Sequence, residues 1–146
     1  MNDKQLHENI VLHIFKTANL LLKVGNRLAR EVGISFQQWF ILLQLWEKGE
    51  LGATPTELGS SLFVTKQNMT GMIDRMERDG YVARGSDPND RRVSRILLTS
   101  KGRKALQQIE PLKDQWNKEA FALLTREEKE ALFKLLDRYL AFLSSH

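Results

Sequence analysis

The chain has 146 residues, enough for one ordinary domain and too few for two. Hydrophobic residues make up 42% and charged residues 27%, the balance of a globular protein and not of a disordered tail. With no cysteine, a disulfide framework, a thiolate metal site, a cysteine nucleophile and a thiol redox sensor are all excluded. No apolar run approaches the ~20 residues that span a bilayer, and the opening Met-Asn-Asp-Lys lacks the pattern of a secretory leader. The expected location is the cytoplasm, with no membrane partner.

The net charge is +4, and its distribution says more than its total. Residues 1–53 carry six Lys/Arg against five Asp/Glu, residues 54–103 nine against six, and residues 104–146 seven against seven. The positive excess therefore lies mostly in the middle third, a weak pointer to a polyanionic partner.

From about Lys4 to Val32 the sequence predicts one long helix. Its apolar residues form two stripes, Leu6, Ile10, Ile14, Leu21, Leu28 and Val11, Phe15, Ala18, Leu22, Ala29. A helix that covers only its own core needs one stripe of about 100°, so a second surface is expected to be buried, against another chain. Gly33 closes this helix, and Ser35 with Gln38 forms a capping box for the next. Phe36, Trp39, Phe40, Ile41, Leu42, Leu43, Leu45 and Trp46 follow almost without interruption, which predicts a central helix buried nearly all round.

Thr54-Pro55-Thr56-Glu57 combines an N-cap, a proline at the first helical position and a second capping box, opening a short helix to about Leu62. After a tight turn at Phe63-Val64, Thr65 caps a longer helix, about Lys66 to Asp79, which ends at Gly80. A short helix, a tight turn and a longer helix is the spacing of a helix-turn-helix. Tyr81–Arg84 and Ser94–Leu98 read as two short strands, joined by a nine-residue connection with turn chemistry at Asp87-Pro88-Asn89-Asp90. Thr99 caps a helix to about Leu124, with Ala105, Ile109, Leu112, Trp116, Ala120 and Leu123 on one face and a bend expected at Pro111. Thr125 to Glu128 is a third capping box, and the last helix, to about Leu143, is more apolar than a solvated terminal helix needs to be.

In the helix from Lys66, Met69, Met72, Ile73 and Met76 recur at i, i+3, i+4 and i+7 as a core stripe. At 100° per residue Gln67, Gly71, Asp74 and Arg78 fall opposite; Lys66 and Thr70 flank one edge of that face, Asn68 and Arg75 the other. A polar face opposite an apolar stripe is by default simply solvated. Behind a short capped helix and a tight turn, the same donors, acceptors and cations are what major-groove readout requires. Arg91 and Arg92 at a hairpin tip would by themselves read as solubilising charges, yet after a helix-turn-helix such a tip can reach a neighbouring minor groove. Helix-turn-helix plus hairpin makes a winged helix-turn-helix, in a mainly α fold with one small β-hairpin wing, and duplex DNA is the expected partner.

The runs Thr56–Gly59 and Met69–Arg84, followed by Asp87–Gly102 with its Asp-x-Arg, apolar residue, Leu-Thr and nearby Gly, resemble the MarR (multiple antibiotic resistance regulator) family over nearly the whole chain. The resemblance implies a single domain in which residues 1–33 and 100–146 form a helical dimerisation region. Residues 34–99 would then form the DNA-binding lobe, with the helix-turn-helix at about 54–79 and the wing at about 81–98. It implies a homodimeric repressor of a pseudo-palindromic operator, released by a small phenolic or lipophilic ligand between the dimer and DNA-binding regions. By position Thr65, Lys66, Gln67 and Thr70 would contact groove or phosphate, Arg75 would be a phosphate or structural contact, and Arg92 would enter the minor groove with Asp90 bracing it. Asn68 and Arg91 complete the expected DNA-contacting set. Gly71 stands where many relatives carry a basic residue, which removes a side-chain contact and lets the backbone approach more closely.

Phe15, Phe36, Trp39 and Phe40 are candidates for an aromatic effector pocket, although ordinary core explains each of them separately. His7 and His13, six residues apart, fall about 240° apart round a helix and do not share a face as metal ligands at i, i+4 would; no metal or other cofactor is expected. No Gly-x-Ser-x-Gly, phosphate-binding glycine loop or His-Glu-x-x-His is present, and the carboxylates sit mainly in helix first turns or beside Lys and Arg, so no catalysis is expected. The alternative is a winged helix that binds another protein, for which Lys66, Arg91 and Arg92 together have no evident use.

Overall fold

The computed structural model describes residues 1–146. In chain order it contains α1 (Asp3–Ala29), α2 (Phe36–Lys48), α3 (Pro55–Leu62), α4 (Lys66–Arg78), β1 (Val82–Ser86), β2 (Ser94–Leu98), α5 (Ser100–Phe121) and α6 (Arg126–Ser144), with single 3-10 turns at Arg30–Val32 and Gly49–Leu51. Contacts group the chain into two compact units, Met1–Glu110 and Pro111–His146. The division falls within α5 at Pro111, and α5 continues through that residue, so the proline removes one amide from the helix ladder without ending it.

In the first unit the helices begin where side chains satisfy their free amides. Asn2 with Gln5, Ser35 with Gln38 and Thr54 with Glu57 each form reciprocal capping boxes, and Thr65 accepts from the Asn68 amide at 3.2 Å. The Phe36 amide also donates to the Asn26 side chain at 2.8 Å, tying the start of α2 to the end of α1. Gly33 takes the left-handed conformation between them, with φ 80°.

The core gathers Ile41, Leu42 and Leu45 of α2, Leu58 of α3, the Met69, Ile73 and Met76 stripe of α4, Ile96 of β2 and Ile109 of α5. β1 and β2 pair antiparallel from Val82 opposite Leu98 to Ser86 opposite Ser94. On the far side of β2, Ala53 and Ile96 exchange two backbone bonds of 3.1 and 2.7 Å, so the segment ahead of α3 anchors the wing's base through a single bridge. Tyr81, which precedes β1, donates its hydroxyl to the Val32 carbonyl at 2.7 Å. The Thr99 hydroxyl donates to the Gly80 carbonyl at 2.6 Å and accepts from the Gly102 amide at 3.1 Å, which caps α5 and fixes the wing's exit.

Several boundaries differ from expectation. α1 stops at Ala29, and residues 30–32 tighten into a 3-10 turn before Gly33. β1 covers 82–86 and not 81–84, because the ladder reaches Gly85 and Ser86 while Tyr81 belongs to the core. α5 ends at Phe121, short of Leu124. The expectation that α2 is buried nearly all round needs correcting: Trp39, Ile41, Leu42 and Leu45 are buried, whereas Phe40 and Trp46 are exposed. Trp46 lies in the last turn and borders a shallow surface cleft with Leu45, Leu97, Leu98 and Arg103.

In α1 only Gly25 and Ala29 are buried, so most of both apolar stripes is exposed, Phe15 at 68%. Within the second unit α6 opens on the reciprocal capping box of Thr125 and Glu128. No residue of α6 is buried, and Leu132, Phe133, Leu136, Leu140 and Leu143 are all exposed.

Candidate nucleic-acid interface

α4 is held in place by its apolar stripe, since Met69, Met72, Ile73 and Met76 are all buried. That fixes which side chains face outward. Lys66, Gln67, Asn68, Thr70, Gly71, Asp74, Arg75 and Arg78 are exposed, and the side chains of Lys66, Gln67, Asn68, Arg75 and Arg78 make no hydrogen bond or ion pair within the chain. Two hydroxyls of the expected set are partly committed. Thr65 accepts from the Asn68 amide, which leaves its own proton for a phosphate. Thr70 donates to the Lys66 carbonyl at 2.9 Å, so it faces outward as an acceptor.

Gly71 sits in the middle of this surface, and a Cβ placed on it would meet nothing within 4 Å. A glycine inside a helix costs about 1 kcal/mol relative to alanine, and no packing constraint within the chain accounts for that cost here. Phe63, in the turn ahead of α4, is the one non-glycine residue with positive φ, 55°. It caps the C-terminus of α3 in the left-handed conformation, its amide bonded to the Gly59 and Ser60 carbonyls.

The wing's connection, residues 87–93, closes on its own polar groups. Asp87 accepts from the Asn89 amide at 2.7 Å and from Arg95 Nε at 2.6 Å. Backbone bonds link Asp87 with Val93 and Val93 with Asp90 at 3.0 and 3.1 Å. Asp90 accepts from the Arg92 amide at 3.0 Å and from Arg92 Nε and Nη2 at 3.1 and 3.3 Å. The Arg95 guanidinium and then the Asn89 amide hold the Asp87 carboxyl below its ordinary range; Arg92, through its side chain and then its amide, does the same for Asp90. The Arg92 side chain remains 90% exposed, so Asp90 orients the guanidinium while leaving part of its donor fork unused. Arg91 is exposed without a partner in the chain.

Arg84, which sequence reasoning quoted but gave no role, joins these two elements. From β1 it pairs with Asp74 and, at 3.2 Å, with Glu77, both on α4. The clamp neutralises two carboxylates beside the outward face and ties the wing to the helix. Its signal in the sequence is two acidic residues three apart on the helix followed by one cation on the strand.

Among the four aromatic candidates, Phe36, Trp39 and Phe40 form one cluster, with ring centroids 4.6 to 6.5 Å apart. Trp39 is core. Phe15 is not part of that cluster and borders a shallow patch of α1 with His7, Glu8, Val11 and Leu12. His13 Nδ1 lies 2.8 Å from the Asn9 carbonyl oxygen, and no group of three or more His, Asp or Glu residues is gathered to hold a metal.

A helix-turn-helix followed by a basic hairpin defines the winged helix-turn-helix class. The sequence model of the MarR family matches residues 34–94. The transcriptional activatory protein BadR of Rhodopseudomonas palustris is 37% identical over 68% of this chain, but the match spans only 57% of BadR's length. YsmB of Bacillus subtilis, an uncharacterized HTH-type transcriptional regulator, is 30% identical over 81% of this chain and 82% of its own. Among solved structures, the S. aureus MepR–DNA complex matches with a TM-score of 0.80 at 21% identity, over 89% of this chain and 94% of that one. The chain belongs to the MarR family of transcriptional regulators.

Proposed function

We propose that the chain is a sequence-specific DNA-binding regulator that acts in the cytoplasm as a homodimeric repressor of a pseudo-palindromic operator. The observation that carries this reading is the outward face of α4. Lys66, Gln67, Asn68 and Arg75 are uncommitted there, and the clamp of Arg84 on Asp74 and Glu77 links the helix to a wing tipped by Arg91 and Arg92. Family membership supports it, and so does a fold shared with a regulator solved on DNA. In this reading Gln67 and Asn68 address base edges, Thr65, Lys66, Thr70 and Arg75 line the groove and its phosphates, and Arg92, braced by Asp90, enters the minor groove. Arg91 adds a phosphate contact. The exposed apolar faces of α1 and α6 support a second copy of this chain as the partner that covers them. A small aromatic or lipophilic effector completes the reading, with the cluster of Phe36, Trp39 and Phe40, and Phe15 from α1, as the residues that would receive it.

The test is a fluorescence-anisotropy titration against the duplex upstream of the protein's own gene and a scrambled duplex, at two salt concentrations. The expected result is tighter binding to the native duplex that weakens as salt rises. Equal, weak binding to both would mean that the operator lies elsewhere or that the winged helix serves a protein partner.

A further inference from the structure

The nine glycines of the chain separate cleanly by what holds them. Gly33, Gly49, Gly52 and Gly80 have positive φ. A Cβ on Gly25, Gly59, Gly85 or Gly102 would come within 3.1 Å or less of the Phe36 ring, the Val64 carbonyl, the Leu97 side chain or the Tyr81 carbonyl. Gly71 has neither reason: its backbone is helical and the space above it is open. No contact within the chain keeps this position bare.

Its surroundings have a definite chemistry. On a helix the neighbours of residue 71 are three and four positions away, namely Gln67, Asn68, Asp74 and Arg75. Asp74 is held by Arg84, which leaves a bare strip of Cα surface between two amide side chains and a guanidinium. The strip is apolar, narrow and rimmed by donors and acceptors. In the major groove, thymine alone among the bases presents an apolar projection, its C5-methyl group, beside hydrogen-bonding atoms. We propose that Gly71 is a notch in the recognition helix that receives a thymine methyl, making this glycine a specificity-determining residue for a T·A pair in each half-site. This inference rests on α4 reading DNA as proposed above. Alanine there would place its own methyl where the base methyl goes.

The experiment uses the full chain and a duplex that the wild-type protein enriches from a pool with a randomised centre. Each thymine of that duplex is then replaced in turn by deoxyuridine, which deletes only the methyl group. Wild-type protein should lose about fourfold in affinity at one thymine per half-site, the value of one buried methylene-sized group. Gly71→Ala should melt about 3 °C higher, bind the thymine duplex roughly tenfold more weakly, and recover when that same thymine becomes deoxyuridine. If no sequence is enriched, the DNA-reading proposal falls and the notch with it. If a sequence is enriched but Gly71→Ala binds it like wild type, or loses affinity that no deoxyuridine restores, the notch alone is overturned.

Discussion

Phe63 carries a bulky side chain in a backbone conformation that L-residues pay about 1–2 kcal/mol to adopt, and the residue is 63% exposed. Little buried contact offsets that strain, so Phe63→Gly should raise stability by about 1 kcal/mol, net of the extra chain entropy glycine brings to the unfolded state. A urea denaturation midpoint checks it, and an unchanged or lower midpoint would show that the ring contributes more than its exposure suggests. Arg92 behaves in the opposite way. Its pairing with Asp90 is solvated and adds little to stability, so Arg92→Ala should leave the melting temperature in place. It should instead weaken DNA binding and lower the slope of log affinity against log salt by about one. Unaltered affinity and slope would remove Arg92 from the interface.

At the scale of elements, the wing is organised by carboxylates that are more acidic than usual. Arg95 is the largest cause at Asp87 and Arg92 at Asp90. A carboxyl whose folded pKa is depressed stabilises fully above its unfolded pKa and loses that contribution as pH falls through the folded value. Amide exchange of residues 87–93 should therefore be steady, once corrected for intrinsic rates, from pH 8 to 5, and protection should fall only below about pH 4. Asp87→Asn should loosen the same segment at neutral pH while α4 stays protected; a wing that titrates near neutrality would contradict this. How much of these elements the sequence disclosed follows from how local their causes are. The capping boxes at Ser35, Thr54 and Thr125 and the stripe from Met69 to Met76 rest on residues three or four apart, and they were legible. The Ala53–Ile96 pairing and the left-handed Phe63 had no spacing to announce them; the acidic pair Asp74 and Glu77 stood in the sequence, but that Arg84 reaches both depends on how β1 lies against α4. For the same reason the exposure of Trp46 and Phe40 escaped a reading based on apolar content alone.

At the scale of the molecule, the dominant feature is the apolar surface left uncovered on α1 and α6. Helices carrying Leu6, Ile10 and Phe15, or Leu132, Phe133 and Leu136, in the open call for a partner surface. Sedimentation at micromolar concentration should return twice the 16.9 kDa chain mass, and a monomeric mass would end the dimer proposal. A two-fold dimer places equivalent recognition helices about 34–36 Å apart, one turn of B-DNA. The most direct measurement is a hydroxyl-radical footprint of the protein on a duplex it has enriched. Two symmetric protected segments centred about 10 base pairs apart, with flanking minor-groove protection that Arg92→Ala abolishes, are the expected result. A duplex left unprotected, or protected without symmetry and regardless of Arg92, would contradict DNA reading by α4 and the wing.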